Sequence, residues 1–386
     1  MNQVELSSVC EIKNGFAFKS SEFQQEGTPL IRISSFDNGP VYFDDNTVYV
    51  DNEYLNTKSA FKVEQGDVLI ALSGATTGKY GIYTHQEPSL LNQRIGLLKS
   101  GTSEDLDDKY FYHYLSILKS EILRKAGGAA QPNISTKAIG ELKIPLPPLD
   151  QQKKIAAILD AADAYRQKTK ALIAKYDELT QSLFLDNFGD PVLNPKNWET
   201  DTLENIADYF IGLTYKPADV SKEGTIVLRS SNIQNGELDF NDIVRVQKEI
   251  KDKLFVQDDD ILMCSRNGSA RLVGKVALIS DLNEKMTFGA FMTIIRSEMH
   301  HYLLHYFRTQ GFRRQISTGA TTTVNQITKN MLNRINLPIP PKHVQNEFVE
   351  KIQTIESQKA KAQESLAKAE ELFNSLLQRA FKGELC

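Results

Sequence analysis

Apolar residues along this chain follow two spacings, and the change from one to the other happens at fixed places. Short runs such as "PLIRISSF" (29–36), "DVLIAL" (67–72), "YGIYTH" (80–85) and "RIGLLKS" (94–100) are bounded by Gly, Asn and Asp and predict β-strands. From 107 to 126 the spacing becomes helical, with Tyr110, Tyr114, Ile117 and Leu118 on one face, so these aromatics read as core. A last strand then meets the proline brake "IPLPP" (144–148).

Beyond the brake the pattern is a single long helix. Asp150 is placed to cap its start, and "NFGDP" (187–191) supplies the Gly and Pro that end it. Within it Ile155, Ile158, Tyr165, Leu172, Tyr176 and Leu179 follow at spacings of three, four or their sum of seven, a seam that needs a partner helix. The C-terminal stretch supplies one through Ile352, Ile355, Leu366 and Phe373, with Lys359 the misfit. The expected pairing is an intramolecular antiparallel coiled coil.

The chain is also written twice. "LKIPLPPLDQQKKI" (142–155) returns as "INLPIPPKHVQNEF" (335–348), so that Pro145 falls on Pro338, 193 positions on. Asp67-Val68-Leu69 falls on Asp260-Ile261-Leu262 at the same offset. "LIRISSFDNG" (30–39) matches "VLRSSNIQNG" (227–236), and "YFYHYL" (110–115) matches "YLLHYF" (302–307). A repeat this long makes each copy a domain followed by a helix. The expected fold class is α+β: mixed α/β domains over 1–148 and 200–341, helices over 149–188 and 342–386, and a linker over 189–199. An internal pseudo-twofold would relate the copies.

Composition narrows the function. The 386 residues are 41% hydrophobic and 24% charged, as in soluble globular proteins, and no apolar run is long enough for a membrane span. A cytoplasmic location is expected. Cys10, Cys264 and Cys386 fit no disulfide or zinc spacing, and His301 and His305 lack the Glu of a zincin helix, so no metal is expected. A net charge of −4 leaves phosphate neutralisation to a partner if DNA is the ligand.

One stretch invites an enzymatic reading. "SGATTGKYGIY" (73–83) has a glycine turn ending in Gly-Lys, as phosphate-binding loops do. Its arc is one residue short, and Tyr80 stands where a magnesium-binding hydroxyl belongs. The twin "NGSARLVGKVAL" (267–278) is one residue too long, with Val276 in that place. ATP binding is therefore not expected. A hairpin turn and a DNA-facing loop both stay open. For the second, Lys79 and Lys275 would contact phosphates, while Arg266, Asn267 and Arg271, found only in the second copy, would read bases. Gln93, Arg94, Asn133 and Asn325 join the candidate DNA-binding set. No catalytic residues are expected.

Taken in order, "IPLPPLDQQKKIAAIL", "SLFLDNFGDPVLNPKNWE", "LPIPPKHVQNEF" and "LFNSLLQRAFKGEL" cover both junctions and both helices. With the shared "GD-V-L-I…SG…GK" block, the chain resembles the specificity subunit of type I restriction–modification systems over nearly its whole length. One departure is "KHVQ", where the family prefers Leu-x-x-Gln; Gln345 still matches Gln152. The resemblance implies a non-catalytic protein whose two domains each read half of a split, asymmetric site on double-stranded DNA, with the coiled coil as a ruler. It also implies docking of two modification subunits bringing S-adenosylmethionine, and restriction subunits bringing ATP- and Mg-dependent activity. The alternative is a coiled-coil scaffold that ignores DNA sequence.

Overall fold

The computed structural model describes residues 2–100, 103–127, 132–317 and 326–385. Its contacts divide the chain into two compact units, one of residues 1–170 with 364–386 and one of residues 171–363. Each unit therefore holds a mixed α/β domain and one half of each long helix.

In unit 1 a five-stranded sheet runs in the order Glu11–Asn14, Ile95–Lys99, Val68–Ala71, Tyr80–Ile82, Gly39–Pro40. A four-stranded sheet joins Val48–Val50, Thr28–Ile31, Ser89–Leu91 and Lys62–Val63, and Gln3–Glu5 pairs with Lys143–Pro145. In unit 2 the pairings recur: Asp208–Ile211, Met292–Arg296, Ile261–Cys264 and Val276–Leu278 form one sheet, and Thr200–Thr202 pairs with Asn336–Pro338. Thr225–Leu228 runs parallel to Met286–Phe288 as Thr28–Ile31 does to Ser89–Leu91.

The repeated residues have backbone tasks. The Asp67 carboxylate accepts from Glu64 N–H at 2.8 Å and lies 3.2 Å from Lys99; Asp260 accepts from Gln257 N–H at 2.8 Å and is gripped at 2.7 Å by both arms of Arg296. Each closes the turn that starts a central strand. The helix Asp108–Lys125, capped by Asp107, buries Tyr110, whose hydroxyl donates to Pro145 O at 2.7 Å. Tyr302 donates likewise to Pro338 O at 2.9 Å. The aromatics of this face are core.

The central helix spans Leu149–Phe188 and the last helix Lys342–Lys382. The first starts directly after Pro148, so Asp150 sits in its first turn rather than capping it. Within unit 1, Ile155 and Leu159 share a core with Phe373, Leu377 and Ala380, the Arg166 guanidinium lies 4.3 Å over the Phe373 ring, and Lys170 pairs with Glu370 at 2.9 Å. Within unit 2, Phe348 meets Phe184 and Phe188 at ring distances of 5.9 and 4.8 Å. In both units the two helix segments run in opposite directions.

The phase of the seam differs from the sequence expectation. Ile155 is buried and Tyr176 half-buried, but Ile158, Tyr165, Leu172 and Leu179 are 38, 54, 43 and 49% exposed. The inward positions are each one residue later: Leu159, Arg166, Ile173 and Thr180. One residue is about 100° of helix. Arg166 takes an inward place because its stem and planar head cover Phe373, which a hydropathy pattern does not anticipate. On the partner helix Ile352 and Phe373 are buried, and Ile355 and Leu366 half-buried. Lys359 is no misfit: its side chain is 14% exposed, and its ammonium lies 2.8 Å from Asp177 and 3.6 Å from Glu237.

Gln152 fastens the central helix to its domain. It is fully buried, accepts from Asp107 N–H at 2.9 Å, and donates to Asp105 O at 2.7 Å and Pro147 O at 2.8 Å. Gln345 makes the corresponding bond to Pro340 O at 2.8 Å. Gln152→Ala strands three backbone groups, that of Pro147 buried and the other two part-buried, and should cost about 2–4 kcal/mol, against about 1 kcal/mol for Gln345→Ala. Denaturant midpoints of the two variants check the order; equal losses would refute it.

Candidate nucleic-acid interface

The Gly-Lys motif is a hairpin closure in both copies. Gly78 N–H donates to Ala71 O at 2.9 Å while Ala71 N–H donates to Lys79 O at 2.8 Å; Gly274 and Cys264 do the same at 2.8 Å, and Cys264 and Lys275 at 2.9 Å. Gly78 and Gly274 both sit at φ 81°, left-handed backbone that favours glycine. The lysines turn back into the protein. Lys79 Nζ is 3.1 Å from Asp37 Oδ1, and Lys275 Nζ donates to Ile233 O at 2.7 Å. Each thus ties its hairpin to the neighbouring Ser-Ser…Asn-Gly loop, a structural task that accounts for its recurrence.

Beyond each hairpin three segments are laced together. In unit 1, Leu72 N–H donates to Arg94 O at 3.0 Å, Ile134 N–H to Leu72 O at 2.9 Å, and Gly74 N–H to Pro132 O at 2.9 Å. This frame brings together Gln93, Arg94 and Asn133, all exposed. In unit 2, Ser265 N–H donates to Phe291 O at 3.0 Å and Ile327 N–H to Ser265 O at 2.7 Å. Arg266 and Arg271 are exposed on its rim.

Asn267 differs from expectation. Its amide donates to Ser230 Oγ at 3.1 Å and its oxygen accepts from Ser269 N–H at 3.0 Å, so both ends shape the loop. Asn325 lies outside the described residues. Sequence reasoning missed Phe291, which occupies the place of Arg94 and is 58% exposed. It also missed Gln326, which bridges to Arg266 as Asn133 does to Ser73. The signal was available: the loop "NQR" (92–94) and the loop "GAF" (289–291) follow matching strands.

The surroundings carry no other chemistry. Burial pushes the Cys264 thiol up, outweighing a backbone hydrogen bond at Arg266 and the nearby Lys275 ammonium, which leaves it inert as a nucleophile. Among the described residues no group of three His, Cys, Asp or Glu side chains could hold a metal, and no helix is long and apolar enough to cross a membrane.

The family model described as the type I restriction modification DNA specificity domain matches residues 1–177 and again 195–371. The EcoBI specificity subunit of Escherichia coli is 27% identical over 99% of this chain and 86% of its own length. The EcoKI specificity subunit of Escherichia coli strain K12 is 26% identical over 98% and 88%. In fold, the chain is similar to the type I system S subunit of M. genitalium, with a TM-score of 0.52 at 15% identity, covering 98% of this chain and 96% of that one.

Replacing Gly78 or Gly274 by Ala forces a side chain into left-handed backbone and should cost about 1–2 kcal/mol each. Chemical denaturation of the two variants measures it. Losses below about 0.5 kcal/mol would show that the hairpins relax.

Proposed function

The chain belongs to the type I restriction–modification DNA specificity family, and from that premise we propose that its two domains, residues 1–148 and 200–341, each read one half of a bipartite, asymmetric DNA target. It is a recognition subunit and catalyses nothing itself. The observation that carries the bipartite reading is the pair of laced loop frames, alike in backbone and different in exposed side chains. One offers Gln93, Arg94 and Asn133, the other Arg266, Arg271 and Phe291. Arg and the carboxamides are the side chains that pair bidentately with guanine and adenine edges, so two different rims suit two different sequences. Lys79 and Lys275 act as braces behind the rims, and Asn267 as a loop former.

The long helices form the antiparallel coiled coil that spaces the two domains, with the linker 189–199 at its turn into the second copy and a pseudo-twofold relating the copies. Two modification subunits dock on this chain. The exposed apolar row on the central helix supports that: Ile158 and Tyr165 in unit 1, Leu172 and Leu179 in unit 2, at seven-residue spacing. Two like partners on one chain need a repeated docking surface, which the doubled unit of domain and helix supplies. They carry S-adenosylmethionine, and restriction subunits carry ATP and Mg; the whole works in the cytoplasm on double-stranded DNA. With a net charge of −4 on this chain, the partners supply most of the phosphate contacts.

Mapping methylated bases in DNA exposed to the assembled methyltransferase tests the function. A single two-part motif is expected; methylation without sequence preference would leave only the scaffold.

The ruler has its own test. A 40-residue helix is about 60 Å long at ~1.5 Å per residue. One residue inserted after Leu172 turns everything beyond it by about 100° and should abolish activity. Four residues inserted there and at the facing point near Leu366 preserve the seam as a stutter and add about 6 Å, close to two base pairs at ~3.4 Å each. The four-residue variant should methylate the same half-sites across a longer spacer, less efficiently. An unchanged spacer at full activity would show that the helices do not set it.

A further inference from the structure

Phe291 is 58% exposed at the tip of a three-residue turn between the strands Met286–Phe288 and Met292–Arg296. A single exposed apolar residue is ordinary on a protein surface. This one is held in place from several sides. Its carbonyl accepts from Ser265 N–H and Arg266 N–H, both at 3.0 Å, and from Ser265 Oγ at 3.1 Å. Met292 N–H closes the turn on Gly289 O at 2.8 Å. Beneath the turn runs Gly212, where a Cβ would come 2.2 Å from Gly289 O, so the chain passes at a distance only glycine allows. The tip is thereby fixed outward. Nothing in that backbone demands an aromatic ring, because unit 1 has the same turn with Arg94 in the same place. Over the ring lies the guanidinium of Arg266, 5.3 Å from its centroid.

We propose that Phe291 and Arg266 form one reading element, taking a thymine methyl group and a guanine of the neighbouring base pair. This rests on unit 2 being a DNA-reading domain and names what that domain reads. An exposed ring fits the C5-methyl of thymine by apolar contact, and an arginine donates two hydrogen bonds to guanine O6 and N7. Stacking on the ring orients the planar guanidinium and limits the rotamer freedom it loses on binding. The 5.3 Å between cation and ring is more than one base step of ~3.4 Å and less than two, which lets the two groups reach adjacent pairs.

The test uses the complete complex with its modification subunits. Its methylated motif is mapped first, and each thymine of the motif is then replaced in turn by deoxyuridine, which removes only the methyl. For the wild-type chain one such replacement should weaken binding roughly fourfold, the worth of one buried methyl. Phe291→Ala should bind the thymine and uracil duplexes alike at that position, while Phe291→Tyr should keep the difference. Arg266→Ala should relax a guanine next to that thymine by roughly tenfold or more. Uniform weakening on all sequences in Arg266→Ala would make it a phosphate contact and overturn the pairing. Discrimination retained in Phe291→Ala, or no uracil effect anywhere in a well-defined motif, would overturn the proposal and leave the bipartite reading standing. A wild-type complex without any motif would instead remove the reading itself.

Discussion

The core of unit 1 is closed by residues from the far end of the chain. Ile155 and Leu159 bury themselves with Phe373, Leu377 and Ala380, more than two hundred positions later. Burying a residue of this size contributes about 1.5–3 kcal/mol, and neither helix could keep its apolar face in water alone. Unit 2 has the same dependence, since Phe184 and Phe188 need Phe348 and Ile352. Each domain therefore requires the chain to leave along one helix and return along the other. Contacts this distant in sequence slow folding, although the closure cost rises only with the logarithm of loop length.

Within that constraint, repetition separates structural from functional residues without any alignment. Gly78 and Gly274, Asp67 and Asp260, Tyr110 and Tyr302, and Gln152 and Gln345 recur because each satisfies a backbone group or a φ value that the fold imposes twice. Lys275 belongs with them through Ile233 O, while Lys79 braces its hairpin on the Asp37 carboxylate. Residues that share a backbone site and differ in chemistry, such as Arg94 and Phe291, are under no such demand.

How far the sequence could be read follows from which quantities a pattern carries. Strand positions, the helix after Asp107 and the proline-bounded start of the central helix were legible because period and punctuation are local. The seam was legible in period but not in phase: Ile158 and Tyr165 are more apolar than Leu159 and Arg166 taken together, yet the latter pair faces inward. Phase depends on the partner surface, and Phe373 accepts a guanidinium as readily as an alkyl chain. For the candidate site, Gln93, Arg94 and Arg266 were found as polar residues in loops. Phe291 was missed because a Phe between apolar strands reads as core until its turn is seen.

The charge of the chain fits this division of roles. Phosphate contacts supply affinity that is indifferent to sequence, whereas base contacts supply discrimination. Several cations of the two domains are already engaged inside their own unit: Lys79 with Asp37, Lys99 with Asp67, Arg229 with Asp242, Arg296 with Asp260. A net charge of −4 fits the proposed arrangement, in which partners supply most of the phosphate neutralisation. Under the proposed reading, the exposed groups on the rims would supply the discrimination and the partners the affinity that is indifferent to sequence.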